Sequence, residues 1–218
     1  VLDKKPKRGF LPDHAPLRYV RSDSQTKYLS DLSKEVPKLL LTSSLPDVIE
    51  SLPGNFFNFN KMIKSAEEKK LRCIYSQLSF LAHAYIYSDN KPRKKLPISI
   101  ASPWVRVSKY LGRPPVLSYA SYCLDNWYLI DKDKDISLDN VALINNFLGG
   151  VDEDWFVTVH VCIENAASEA ISSSIALIDE TSESKIEMHL NNILESLKKV
   201  NHIFKRMPEK CDPYIYYH

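Results

Sequence analysis

Helical periodicity, written almost without glycine, is what most constrains the fold of this chain. Five glycines occur in 218 residues, and no stretch alternates apolar and polar side chains strongly enough to read as a strand. The clearest periodic stretch is Ser184 to Met207, where Ile186, Leu190, Ile193, Leu197, Val200 and Phe204 recur at three- and four-residue steps. That spacing lays one apolar stripe along a helix. A second long helix is expected from about Asn60 to Tyr87, with Ile74, Leu78, Leu81 and Tyr85 carrying it through the core. Further helices are expected over Asp23–Leu41, locally broken at Pro37, and from Ser44 with Pro46 early in its first turn. Others are expected over Pro103–Leu111, over Val116–Trp127, and from Ser137 to just before Gly149-Gly150. The fold class is therefore all-α.

Charge and cysteine usage exclude several functions. The formal net charge is +2, too small to imply a nucleic-acid or membrane partner. The basic runs Lys4-Lys5 with Lys7-Arg8, and Arg93-Lys94-Lys95, lie beside prolines and read as solvated loops. No interleaved aromatics accompany them to stack on bases. The run around Cys73 that is free of charged side chains carries Gln77, His83 and several tyrosines, so it reads as a buried helix and not as a membrane span. Cys73, Cys123, Cys162 and Cys211 form no C-x-x-C pair. They read as reduced thiols of a cytoplasmic protein, not as a disulfide framework or a zinc site. Glycine poverty argues against a P-loop or a dinucleotide fingerprint, and no G-x-S-x-G occurs.

The stretch richest in chemistry opens with Asp152-Glu153-Asp154 and continues Trp155-Phe156-Val157-Thr158-Val159-His160 as a helix expected to reach about Asp179. Phe156 and His160 are four apart and project from one face. Ile163, Ala167 and Ala170 extend that face with smaller side chains. A bulky ring and an imidazole above small residues suit a flat ligand; a buried helix with one hydrogen-bonded core histidine has the same pattern. The close, Cys211-Asp212-Pro213-Tyr214-Ile215-Tyr216-Tyr217-His218, is aromatic, and further polypeptide or a partner chain is expected to pack against it.

Two ordered motifs resemble the indoleamine 2,3-dioxygenase family. They are Leu96-Pro97-Ile98-Ser99-Ile100-Ala101-Ser102-Pro103-Trp104 and Arg113-Pro114-Pro115-Val116-Leu117-Ser118-Tyr119-Ala120-Ser121-Tyr122-Cys123-Leu124-Asp125-Asn126-Trp127. Ala82-His83-Ala84-Tyr85-Ile86-Tyr87, and the Trp155 helix with Glu164 and Ala166-Ala167-Ser168, are similar to two further family segments. The resemblance implies a small N-terminal helical domain with its connector (residues 1–148), capping the first, incomplete part of a larger heme-binding helical domain (residues 149–218).

The resemblance also implies an activity. Heme b would be the cofactor, and L-tryptophan and O2 the substrates. Oxygen would be inserted across the indole C2–C3 bond to give N-formylkynurenine, on the kynurenine pathway. Residue by residue, Tyr119, Tyr122, Cys123, Phe156, Val157 and Tyr216 fall on positions of the distal substrate pocket. The extra hydroxyl of Tyr216 needs a partner if it is buried. Val157 replaces a second aromatic of some members. His160 replaces a frequent serine; as in the related tryptophan 2,3-dioxygenases, it would act as the catalytic group that orients substrate or oxygen. Tyr119 and His160 are then expected to face one another in a shared hollow. No metal ligand is assigned within the chain: the proximal histidine and the arginine that binds the substrate carboxylate are expected beyond His218, in the C-terminal remainder of the large domain, a same-chain or separate partner. His83 is expected to be structural, and His14, His189 and His202 incidental. Two alternatives stay open: a myoglobin-like, non-catalytic oxygen-binding protein on the same fold, and a dioxygenase of another indole.

Overall fold

The computed structural model describes residues 8–60 and 67–217, the last of these as backbone only. The basic run at residues 4–7, residues 61–66 of the expected second helix, and His218 lie outside the described residues. The fold is helical with one small ribbon: α1 Ser24–Leu41, α2 Leu45–Glu50, α3 Glu68–Ile86, α4 Ile98–Leu111, a π-helical turn Ala120–Leu124, β1 Trp127–Leu129, β2 Val141–Leu143, α5 Val151–Ala166, α6 Ser168–Ala176, α7 Glu183–Phe204, a 3-10 turn Met207–Glu209, and α8 Pro213–Tyr217. The all-α class holds.

Local chemistry sets the helix limits. Asp23 begins α1 with a capping box: its carboxylate accepts from the Thr26 amide at 2.8 Å, and Thr26 Oγ1 accepts from the Asp23 amide at 3.1 Å. The expected break at Pro37 does not occur, and α1 runs through it to Leu41. Gly112, at φ +64°, closes α4 in the left-handed region. That helix starts at Ile98, ahead of the expected Pro103, because Pro97 takes the extended conformation just before its first turn.

Two expected helices are not formed. Val116–Trp127 is helical only over Ala120–Leu124. Before it, the Tyr75 hydroxyl reaches the carbonyls of Pro114 (2.8 Å) and Val116 (3.0 Å), taking oxygens a helix would use internally. After it the chain becomes β1, antiparallel to β2 with Trp127 opposite Leu143 and Leu129 opposite Val141. The stretch after Ser137, read as helical, therefore supplies a strand. Side-chain amides explain the change: the Asn126 carboxamide exchanges bonds with the Asn145 backbone (Nδ2 to O, 2.9 Å; N to Oδ1, 2.7 Å). Asn140 closes the intervening loop by donating to the carbonyls of Asp131 and Asp135.

The core has three parts. The largest packs α1, α2, α3 and α4 around Leu29, Val36, Leu45, Ile49, Ile74 and Leu78. A second joins Leu11, Cys123, Trp127, Val141 and Leu143 to Val157 and Val161 of α5. A third puts Trp155 and Val159 against Cys211. One helix thus carries two cores on its buried sides and leaves its third side for the candidate site. No helix among the described residues is long and apolar enough to cross a membrane, and none of the four cysteines is in a disulfide.

Candidate functional site

Phe156 and His160 sit one turn apart on the half-buried side of α5, their ring centroids 4.2 Å apart. Helical spacing alone dictates that juxtaposition. Tyr119, just ahead of the π-helical turn, meets His160 edge-on at 5.9 Å. Its hydroxyl donates to Glu164 Oε1 at 2.9 Å, one turn further along α5. Tyr216 of α8 stacks on Phe156 at 4.5 Å with ring planes 20° apart. Its hydroxyl lies 3.1 Å from that of Tyr122, which supplies the partner the extra oxygen requires. Three chain segments distant in sequence thus converge on one aromatic surface.

His160 is oriented by its own helix. Its Nδ1 lies 2.7 Å from the Phe156 carbonyl oxygen. A carbonyl only accepts, so Nδ1 carries the proton and donates. In that tautomer of the imidazole Nε2 is left as an acceptor.

Beside this surface opens a hollow of about 620 Å³, with walls that include Leu117, Tyr119, Tyr122, Phe147, Phe156 and Tyr216. It is of the size and character that admits small ring compounds. Burial raises the phenol pKa values of Tyr119 and Tyr122 well above the ordinary range, and pushes that of Tyr216 up to about 12. All three are neutral hydroxyls at physiological pH. Among the described residues no group of three or more His, Cys, Asp or Glu side chains could hold a metal ion.

A sequence model of the family described as indoleamine 2,3-dioxygenase matches residues 3–218. The chain belongs to the indoleamine 2,3-dioxygenase family. An indoleamine 2,3-dioxygenase of Saccharomyces cerevisiae is 29% identical over 100% of this chain and 50% of its own length. One from Penicillium citrinum is 31% identical over 96% of the chain and 48% of its own. A 6-hydroxytryptophan 2,3-dioxygenase of Fusarium equiseti is 26% identical, again over 96% of the chain and 51% of its own length. The chain spans about half the length of the curated relatives it matches.

Of the positions that the indoleamine 2,3-dioxygenase resemblance singles out, Tyr119, Tyr122, Phe156 and Tyr216 line the hollow. His160 packs between Phe156 and Tyr119 but is not among the residues that line the hollow, so of the pair expected to share it only Tyr119 forms its wall. Cys123 and Val157 are fully buried in the second core with Trp127 and do not line the hollow. Burial pushes the Cys123 thiol up to about 12, so it is a neutral, packed thiol. Several lining residues are not singled out by the sequence, Phe147 and Glu153 among them. His83, expected to be structural, also lines the hollow, with its ring 5.5 Å from Phe147. The available signal was His83 itself, the one exposed side chain in the otherwise buried stretch from Cys73 to Tyr85.

The residues present suit one face of a heme pocket. A surface of rings offers a flat, apolar seat, His160 adds a polar group beside it, and His83, Ser118, Asp152 and Glu153 add others in the wall of the hollow. An axial ligand for iron is not assigned among them.

Proposed function

We propose that this chain forms the distal, substrate-binding half of a heme-dependent dioxygenase that opens the indole C2–C3 bond of L-tryptophan to give N-formylkynurenine. Bound heme b would supply the oxygen chemistry, and the protein would orient the indole and exclude water. Phe156 and Tyr216 form the ring stack against which the indole lies. Tyr119 and Tyr122 close the pocket from the side of the connector. Residues 1–148 then serve as the capping domain and residues 149–218 as the start of the heme domain. The remainder of that domain, the counterpart of the relatives' other half, covers the opposite face and supplies the iron ligand.

One observation carries this reading: the Phe156 carbonyl fixes His160 as an acceptor at Nε2, the group needed to take a hydrogen bond from an indole N–H. The test is His160→Ala in the heme-loaded natural polypeptide, following N-formylkynurenine absorbance and L-tryptophan affinity together. Losing one hydrogen bond to a positioned substrate should cut kcat/KM by about 10- to 100-fold. Wild-type affinity and turnover in the variant would sink the assignment.

A dioxygenase of a more polar indole is the second reading. The paired hydroxyls of Tyr122 and Tyr216 give the hollow a polar edge, and the Fusarium relative is named for 6-hydroxytryptophan. Comparing kcat/KM for tryptophan and its hydroxylated forms separates the two.

A further inference from the structure

The acidic triplet that opens α5 grips two separate pieces of chain. Asp152 accepts from the Asp212 amide at 2.7 Å, at the entrance to α8, which carries Tyr216. Asp154 accepts from the Asn146 side-chain amide. Glu153 does the most. Its carboxylate takes the amide of Phe147 (2.8 and 3.0 Å), that of Leu148 (2.9 Å) and that of Gly149 (3.2 Å). Three successive N–H groups converging on one anion form a nest. Glycine at 149, with φ +71°, lets the backbone curl into it. Glu153 is buried, as a carboxylate can be when its oxygens are saturated by donors.

This is more than a favourable charge at a helix N-terminus. Any of the three acids would satisfy the helix dipole, but only Glu153 takes the backbone amides of the turn. The turn it holds carries Phe147, whose ring packs 4.8 Å from Phe80, 5.5 Å from His83 and 6.2 Å from Tyr122. Phe147 and Leu148 form the wall of the hollow on that side, and Glu153 itself lines it.

We propose that Glu153 is a positioning residue: by clamping the amides of Phe147, Leu148 and Gly149, it fixes the wall that sets how tightly the ring substrate is held. This rests on the functional reading above. Phe147 has no route to the reacting atoms except as that wall, so the effect belongs to binding and not to the chemical step.

The test is Glu153→Gln in the heme-loaded natural polypeptide, an isosteric change that leaves one acceptor oxygen and turns an N–H₂ toward the amides. Three readouts are taken: amide hydrogen exchange at residues 147–149, L-tryptophan affinity from the heme absorption shift, and the split between KM and kcat. Exchange at the three amides should rise by about tenfold or more, since hydrogen bonds to a charged acceptor are the stronger kind. Affinity should fall several-fold and KM rise to match, with kcat within about twofold of wild type, the signature of lost ground-state binding. Asp154→Asn, which frees only the Asn146 side chain, should leave all three readouts at wild-type values.

Unchanged exchange in Glu153→Gln would overturn the clamp. Faster exchange with unchanged affinity would overturn the positioning role, as would an equal effect from Asp154→Asn. A wild-type protein that does not bind L-tryptophan fails differently. It removes the functional reading and the positioning role together, while exchange still reports whether Glu153 holds the turn.

Discussion

At the scale of single residues, the costliest position to disturb is Asp125, next to the π-helical turn. Its buried carboxylate takes the Arg72 Nε–H at 3.0 Å and an Arg113 N–H at 2.6 Å, tying α3 to the segment after α4. Both guanidinium groups keep some contact with water. Removing the shared anion leaves two partly hydrated cations facing each other without a counter-ion, and breaking a buried pair from one side is strongly destabilising. Asp125→Ala should therefore cost about 3 kcal/mol, at the lower end for buried pairs because of that residual hydration. Urea unfolding of the variant against wild type measures it. His83 provides a pH-dependent counterpart. Although the side chain stays partly exposed, its desolvation beside Tyr87 and Phe147 lowers its pKa. The unfolded chain takes up that proton near about pH 6.5, the folded chain only at lower pH. Between those values the unfolded state binds more protons, so stability contributed here is present above pH 6.5 and lost on acidification through the folded pKa. His83→Gln should lose less stability than wild type between pH 7.5 and pH 5; an identical loss in both would remove the histidine from the account.

Among the elements, the break between α5 and α6 has an identifiable cause. One continuous helix to Asp179 is expected from the sequence, yet α5 ends at Ala166 and α6 begins at Ser168. In an unbroken helix the Ala170 amide would donate to the Ala166 carbonyl. Instead the buried Ser196 of α7 stands between them: its hydroxyl donates to Ala166 O at 2.7 Å and accepts from Ala170 N at 3.3 Å. A side chain inserted into the backbone ladder is a recognised source of kinks. Ser196→Ala should cost about 1–3 kcal/mol if the two backbone groups stay buried and unpaired. A variant that keeps full stability would have closed the ladder into one straight helix, visible as added helical circular dichroism. This break also shows what a local reading reaches. The stripe of α7, the start of α1 near Asp23 and the buried run of α3 are written in local spacing and are legible. The π-helical turn, the β-ribbon and the α5–α6 break depend on Tyr75, Asn145 and Ser196, each distant in sequence from what it controls. The site divides in the same way. Phe156 and His160 are adjacent by helical spacing, and Tyr119 entered through the family motif. Phe147, Glu153 and His83 meet only because the chain folds back on itself, and no periodicity announces that.

In the whole molecule the imbalance lies in α7. This helix of 22 residues has one fully buried side chain, Ser196. Leu190, Leu194, Leu197 and Phe204 are exposed on its length, with Met188 near its start and Ile178 beyond it. The expected stripe is split: Ile186, Ile193 and Val200 are half-buried, while Leu190, Leu197 and Phe204 face solvent. Large apolar side chains exposed repeatedly along one helix are the kind of surface that other protein usually covers. The relatives are about twice as long as this chain, and under the proposed function their other half supplies the cover and the far wall of the heme pocket. That reading makes a prediction about residues 1–218 prepared alone. They should enhance the fluorescence of an apolar dye and self-associate with rising concentration. Leu190→Lys with Leu197→Lys should suppress both, since neither side chain supports a core of the isolated chain. The same pair placed in the natural polypeptide should be far more damaging, because charges that were solvated would then be forced under packed helices. Equal tolerance in both settings would mean that α7 faces water in the complete protein too, and the far wall of the heme pocket would have to be sought elsewhere than over this helix.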